Sequence, residues 1–322
     1  MKKQTTVFTL TLLFYINAAF SQWNCGDTLI DTRDGKKYTT VLIGSQCWMK
    51  QNLNYGKTVL SYTSTVTHSD MYNDSIAEKY APNGDTTKVP QYGGLYEWNE
   101  LMNYDTVQGG KGLCPTGWHV PTDIEWNTMI ITSGGTVNPG SGGNGLKAIG
   151  EGFGQGAGTN TSGFSAKAAG DRDSYGIFYG LGVRFIFWTS KQTGPGSAYH
   201  YTLWAESDTI EHLITQKITG LSCRCIKDAS TSGMLEESSP DENILIYPNP
   251  STSGIYVHDD NFSSENNYAV RIENGIGQII LTQKQTTQYV YIDLSLFRKG
   301  IYFVHIIDKS GTSVRVKKIV IQ

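Results

Sequence analysis

Apolar and polar positions alternate most regularly towards the C-terminal end of the chain. Seven short runs rich in Ile, Val and Tyr, at 244–247, 255–258, 268–273, 278–282, 289–294, 301–307 and 314–321, are broken by Pro248-Asn249-Pro250, Asn274-Gly275 and Ser310-Gly311. Runs of that length predict strands, and their spacing between turn residues predicts a small Ig-like β-sandwich over residues 244–322. Residues 229–243, small, acidic and with almost nothing to bury, read as a linker. At the other end, Lys2-Lys3 precedes a largely apolar run from Val7 to Ile16 and the small residues Ala18, Ala19 and Ser21. That order predicts a secretory signal peptide over 1–21, cleaved before Gln22. The run is too short, and too interrupted by Thr9, Thr11 and Asn17, to span a membrane.

Between these ends, residues 23–228 predict a mixed α+β domain. Asp34-Gly35 followed by β-branched residues through Gly44 is a hairpin signal. Thr122 with Glu125 three residues later forms a capping-box pattern, so a helix starts at Asp123 with Trp126, Met129 and Ile130 on one face. A second helix is expected over 95–102, where Leu95, Trp98, Leu101 and Met102 share helical spacing. Residues 133–163 are dominated by Gly, Asn, Ser and Thr and read as a long surface loop. Two β-type runs, at 183–189 and 222–226, close the domain, with 198–206 between them.

Composition narrows the function classes. A net charge of −3, from 26 basic and 29 acidic residues, gives no clustered cation for a phosphate backbone, so nucleic acid is not an expected partner. With 36 Gly, 19 Tyr and 7 Trp and only 17% charged residues, ring burial is expected to take the place of long aliphatic helices. Export permits disulfides, and the odd set Cys25, Cys47, Cys114, Cys223 and Cys225 leaves at least one thiol over.

Two resemblances follow from motifs. Tyr247-Pro248-Asn249-Pro250, Asn274-Gly275-Ile276-Gly277, Asp293-Leu294-Ser295, Lys299-Gly300-Ile301-Tyr302-Phe303-Val304 and Lys317-Lys318-Ile319-Val320-Ile321 occur in order and resemble the type A sorting domain of the type IX secretion system. The resemblance implies passage through the outer membrane by that machinery, removal of the tail, and release or attachment at the cell surface. Cys47-Trp48-Met49, Tyr92-Gly93-Gly94-Leu95-Tyr96-Glu97-Trp98, Cys114-Pro115-Thr116-Gly117-Trp118-His119-Val120-Pro121-Thr122, Phe178-Tyr179-Gly180-Leu181-Gly182 and Arg224-Cys225 resemble the Fibrobacter succinogenes major paralogous domain. The segment 120–126 is also similar to the helix start of formylglycine-generating enzymes. This implies a C-type-lectin-like, formylglycine-generating-enzyme-like α+β module. It further implies disulfides Cys25–Cys47 and Cys114–Cys225, with Cys223 a buried free thiol.

Candidate chemistry is sparse. Cys223 and Cys225, two apart on an extended strand, place both sulfurs on one side, where soft thiolates suit copper. A cysteine-dependent oxidase is therefore one alternative, although the pair is closer than in formylglycine-generating enzymes and Cys225 is needed for a bridge. A hydrolase is the other. It would need a base among His68, His119, His200 and His212, or a carboxylate pair among Glu97, Glu100, Asp123, Glu125, Asp171 and Asp173. These residues lie at helix starts and turns, where structural roles suffice. Gly152 to Ala157 fits a dinucleotide fingerprint formally, without the strand that such a site requires. Asp171, Asp173, Asn99 and Glu100 fall short of the roughly six to eight oxygens calcium takes. No catalytic residue, cofactor or metal site is expected.

What remains is an aromatic set, Tyr175, Tyr179, Tyr199, Tyr201 and Trp204, whose ring faces can stack on sugars or peptides. The expected function is a non-enzymatic cell-surface or released module for adhesion or for glycan or protein binding; a purely structural surface protein is the remaining alternative. Expected partners are the type IX machinery and a glycan or extracellular protein, with no membrane span in the mature form. Five Asp-Ser/Thr pairs, at Thr28, Ser75, Thr86, Thr106 and Thr209, resemble O-glycosylation acceptors of bacteria that use type IX secretion.

Overall fold

The computed structural model describes residues 23–63, 69, 71–137, 139–228, 244–251, 254–259, 269–287, 289–308, 311 and 313–322. The expected signal peptide (1–21), the expected linker (229–243) and His68 lie outside them. The module opens with β1 (Thr28–Ile30), β2 (Lys37–Ile43) and β3 (Gln46–Met49), then β4 (Lys57–Val59) and β5 (Glu78–Tyr80). Short helices α1 (Val89–Tyr92) and α2 (Trp98–Leu101) lead to β6 (Trp118–His119) and α3 (Asp123–Thr132). There follow β7 (Thr136–Val137), β8 (Gly140–Ser141), α4 (Gly143–Leu146), β9 (Asp171–Arg172) and β10 (Phe178–Tyr179). The module closes with β11 (Arg184–Gln192), β12 (Ser197–Trp204), β13 (Ile210–Gln216) and β14 (Ile226–Lys227). Among the described residues, no helix is long and apolar enough to cross a membrane.

The antiparallel sheet β11-β12-β13 is the spine of the module. Both faces of β11 are covered: Ile186 and Trp188 enter one apolar cluster with Trp98, Trp118 and Cys114, while Phe185 and Phe187 enter another with Trp48, Trp126 and Phe164. Trp126 is the hub of the second cluster. It lies 5.5 Å from Trp48, 5.6 Å from Phe164 and 5.0 Å from Tyr201, centroid to centroid, distances at which ring pairs add to area burial. The capping box fixes its helix. Thr122 Oγ1 accepts from the Glu125 N–H at 3.2 Å and Glu125 Oε2 accepts from the Thr122 N–H at 2.8 Å, an arrangement whose loss costs about 1 kcal/mol.

Three expectations need correction. The helix expected over 95–102 is a single turn, because the backbones of Leu95 and Tyr96 are committed to bridges with Tyr80 and Leu221. Residues 133–163 are not a featureless surface loop: β7, β8 and α4 form there, and Leu146 is fully buried. The run at 222–226 joins the five-stranded sheet β1-β2-β3-β14-β6 only at Ile226. Upstream, the carbonyls of Cys223 and Cys225 accept instead from the N–H groups of Leu53 and Met49.

Buried cations tie the irregular segments together. Lys147 Nζ donates to Asn144 Oδ1, Gly156 O, Trp204 O and Ser207 O at 2.6–3.0 Å. Arg224 donates to Asn52 Oδ1 and to the carbonyls of Phe164 and Ser165, with its guanidinium over the Phe164 ring. Lys79 Nζ donates to the carbonyls of Asn54 and Gly56, each at 2.7 Å. Gly94 is required beside it, since a Cβ there would lie 2.7 Å from Lys79 Cδ. Disulfides Cys25–Cys47 and Cys114–Cys225 add covalent ties, the second closing a separation of 111 residues.

The tail comprises β15 (Ile244–Tyr247), β16 (Gly254–Asp259), β17 (Ala269–Asn274), β18 (Ile279–Lys284), β19 (Tyr289–Asp293), β20 (Gly300–Ile307) and β21 (Ser313–Ile321). Sheets β15-β16-β19 and β18-β17-β20-β21 enclose a core that includes Ile255, Val257, Val270, Ile272, Val304 and Ile319. Asn274 turns the chain, its Oδ1 accepting from Ile276 and Gln278 N–H groups.

His119 closes the module where the chain leaves it. Its Nε2 lies 2.8 Å from Glu125 Oε1 and its Nδ1 2.7 Å from Asp228 Oδ1. Burial opposes charging of the ring, but hydrogen bonds and charge from Glu125, then Asp228, outweigh it and hold the pKa above its ordinary value. A raised histidine pKa stabilises the folded state fully below the unfolded value of about 6.5, and that contribution is lost as pH rises through the folded value. The urea midpoint is therefore expected to fall between about pH 6 and about pH 9, and the His119→Asn variant to lose this part of the slope. An unchanged slope in the variant would contradict the clamp.

Candidate functional site

The structure divides the five aromatic candidates. Tyr201 is 2% exposed and stacks on Trp126, and its hydroxyl donates to Asn127 Oδ1 at 2.6 Å. The Asn127 amide in turn donates to the Tyr247 hydroxyl of the tail at 3.2 Å. Tyr199, half-buried, stacks on His212 with centroids 4.7 Å apart. Neither belongs with the other three.

Tyr179 and Trp204 lie on either side of an ion pair, and Tyr175 sits in the turn of the hairpin that carries Tyr179. In the β9–β10 hairpin, Tyr179 stands opposite Asp171, and Tyr175 lies in the turn, where Asp173 Oδ1 accepts from the N–H groups of Tyr175 and Ile177. Asp171 Oδ1 receives Arg184 Nη1 at 3.1 Å, and Arg184 lies over the Trp204 ring at 5.3 Å. Trp204 Nε1 donates to Glu211 Oε2 at 2.6 Å, which fixes the indole edge. Burial raises the Asp171 carboxyl pKa above its ordinary value, although Arg184 pulls it down. Tyr175 and Tyr179 are each 45% exposed, and Ile177 and Val183 beside them are also exposed. The result is a ledge of exposed tyrosines and aliphatic groups on the hairpin, with the half-buried Trp204 ring on the other side of the Asp171–Arg184 pair. Gly170 permits it: its φ is +70° and a Cβ there would lie 2.2 Å from the Tyr179 carbonyl.

The candidate acids and bases are engaged elsewhere. Glu97 accepts from the Tyr80 hydroxyl at 2.6 Å and from Ser69, and Arg172 lies 3.8 Å away. Glu100 Oε1 accepts from the Glu78 N–H, and Glu125 serves both the helix cap and His119. Asp123, buried, lies 3.1 Å from His212. His200 is buried against Trp188, and burial lowers its pKa to about 4. A hydroxyl–imidazole–carboxylate line that the sequence did not signal runs along the tail, with Ser313 Oγ 3.0 Å from His305 Nδ1 and His305 Nε2 3.3 Å from Glu273. It lies on the flat outer face of a four-stranded sheet, where cross-strand polar pairs are ladder contacts. Two glycines of the formal dinucleotide pattern, Gly152 and Gly156, serve close packing: a Cβ on Gly156 would lie 2.2 Å from the Ala205 carbonyl. Thr28, Ser75, Thr86, Thr106 and Thr209 are all exposed.

The sulfurs of Cys114, Cys223 and Cys225 lie within 4.8 Å of one another, with Cys114 and Cys225 bonded and Cys223 free and buried. Burial pushes the Cys223 thiol far above the ordinary range, away from the reactive thiolate. The folded protein is expected to resist a thiol reagent and to release a single thiol when unfolded without reductant. Two thiols reacting in the folded protein would contradict this arrangement.

Residues 41–227 match the family model described as Fibrobacter succinogenes major domain, and residues 245–322 match the secretion system C-terminal sorting domain. No curated protein matches the chain. Among solved structures, the chain is similar to PorZ, described as an essential bacterial surface component of the type-IX secretion system of Porphyromonas gingivalis. That match has 14% identity and a TM-score of 0.22, covering 38% of this chain and only 15% of that one. The first family model covers more than half of the sequence, and the chain thus belongs to the Fibrobacter succinogenes major domain family and carries a C-terminal secretion sorting domain.

Proposed function

We propose that the exported form is a non-enzymatic binding module at the cell surface or outside the cell, contacting a glycan or an extracellular protein through the ledge of Tyr175, Tyr179 and Trp204. The observation that carries this reading is the exposure of both tyrosines on the hairpin of the Asp171–Arg184 pair, together with the anchored Trp204 indole. An indole held in this way buries apolar area on binding with little loss of side-chain freedom, and the exposed tyrosines add ring area beside it. The sorting domain supplies the export signal for the type IX route, and in this proposal the tail and the signal peptide are removed before the module works. A lectin-like architecture accords with a β-rich module of short helices and long cross-linked segments. An oxidase has less support, because Cys225 is bonded to Cys114 and Cys223 is buried.

The test is retention of the full chain on a panel of polysaccharides and matrix proteins, beside a Tyr179→Ala/Trp204→Ala variant with unchanged circular dichroism. The proposal expects retention on at least one ligand and a loss of at least about tenfold in affinity in the variant. Retention on none would favour a purely structural surface protein.

A further inference from the structure

Three buried cations of the module are each held by two or more protein oxygens, as set out above for Lys147, Arg224 and Lys79. Lys217 departs from that rule. It is 4% exposed, yet its ammonium meets a single oxygen, Gln192 Oε1 at 2.5 Å, and the face of Trp98 at 4.1 Å. The indole is locked beneath it by the Nε1 hydrogen bond to Thr189 O at 2.8 Å. Among the described residues, no carboxylate pairs with Lys217, and burial lowers its pKa with no neighbouring charge to offset it. An ammonium carries three donors, and a buried charge without a partner is costly to the fold. Such a group at the wall of a cleft leaves room for a counter-charge from outside.

The cavity exists. Lys217 lines a cleft of ≈ 620 Å³ together with Asn99, Thr106, Gln192, Thr193 and Pro195. Asn99 comes from α2, Thr193 and Pro195 from the turn between β11 and β12, and Lys217 from the residue after β13. The volume suits a ligand of one or two sugar rings. The remaining polar wall is made of amides and hydroxyls, which both donate and accept, as the vicinal hydroxyls of a sugar require.

We propose that this cleft binds a carboxylated sugar, a uronate unit of an acidic polysaccharide, with the carboxylate on Lys217 Nζ and the ring hydroxyls on Asn99 and Gln192. This inference goes beyond the binding role proposed above, since it concerns a different place on the module. Trp204 is at the far end of β12, roughly 20 Å along the strand. The ledge and the cleft can therefore be tested separately.

The experiment is titration calorimetry of the full chain with tetragalacturonate and with its methyl ester, which keeps the sugar and removes the charge. Tetragalacturonate is expected to bind at least about tenfold more tightly than the ester. Lys217→Met is expected to remove that preference and, by deleting an uncompensated buried charge, to raise the melting temperature. Trp204→Ala is expected to leave uronate binding unchanged. Equal binding of acid and ester, tighter binding of a poly-glutamate peptide, or a Lys217→Met variant that melts lower and still prefers the acid would each overturn the proposal. Uronate binding lost in Trp204→Ala but kept in Lys217→Met would overturn the cleft while supporting the ledge.

Discussion

The module depends on cations buried among backbone carbonyls. A chain with so many short elements leaves carbonyls that no helix or ladder can satisfy, and buried polar groups must find partners. Lys147 collects four oxygens from segments 144, 156, 204 and 207, and Arg224 joins the 164–165 corner to Asn52 across the core. Each charged hydrogen bond contributes about 1.5–3 kcal/mol. Three or four of them offset a desolvation penalty of several kcal/mol for the ion. The residual strain on the charge is visible in Arg224, whose pKa burial lowers to about 9. These cations do for the loops what ladders do for the spine.

The same constraint explains what could be read in advance. The tail was legible because it satisfies its backbone locally: its alternating runs become seven strands with Val and Ile inward. The capping box at Thr122 and Glu125 was legible for the same reason, being a contact between residues three apart. Segment 133–163 was not, because its shape is set by Lys147 and Asp208, whose carboxylate accepts from the N–H groups of Gly142 and Asn144. Strand β13 was missed since it carries Leu213 and Ile214 exposed and buries little beyond Ile210, which blurs its period. The disulfide pairing was implied by family resemblance alone, five cysteines having allowed many pairings.

Site residues divide along the same line. Tyr179 and Tyr201 are alike in sequence terms, yet one lies on a two-residue strand at the surface and the other on the central strand of a sheet packed on both sides. Lys217 carried no signal at all, because what distinguishes it is a shortage of oxygen partners in space. The module and the tail keep separate apolar clusters, so the part that directs export and the part proposed to bind can each hold its own shape. The hydrogen bond from Asn127 to Tyr247 is a polar contact between them.

Amide hydrogen exchange on Lys147→Met tests the central claim most directly. If the ammonium cage organises the Gly-rich segment, amides across 142–163 lose protection by at least about tenfold, while those of β11 and β12 keep theirs. Unchanged protection across 142–163 in a folded variant would contradict the claim.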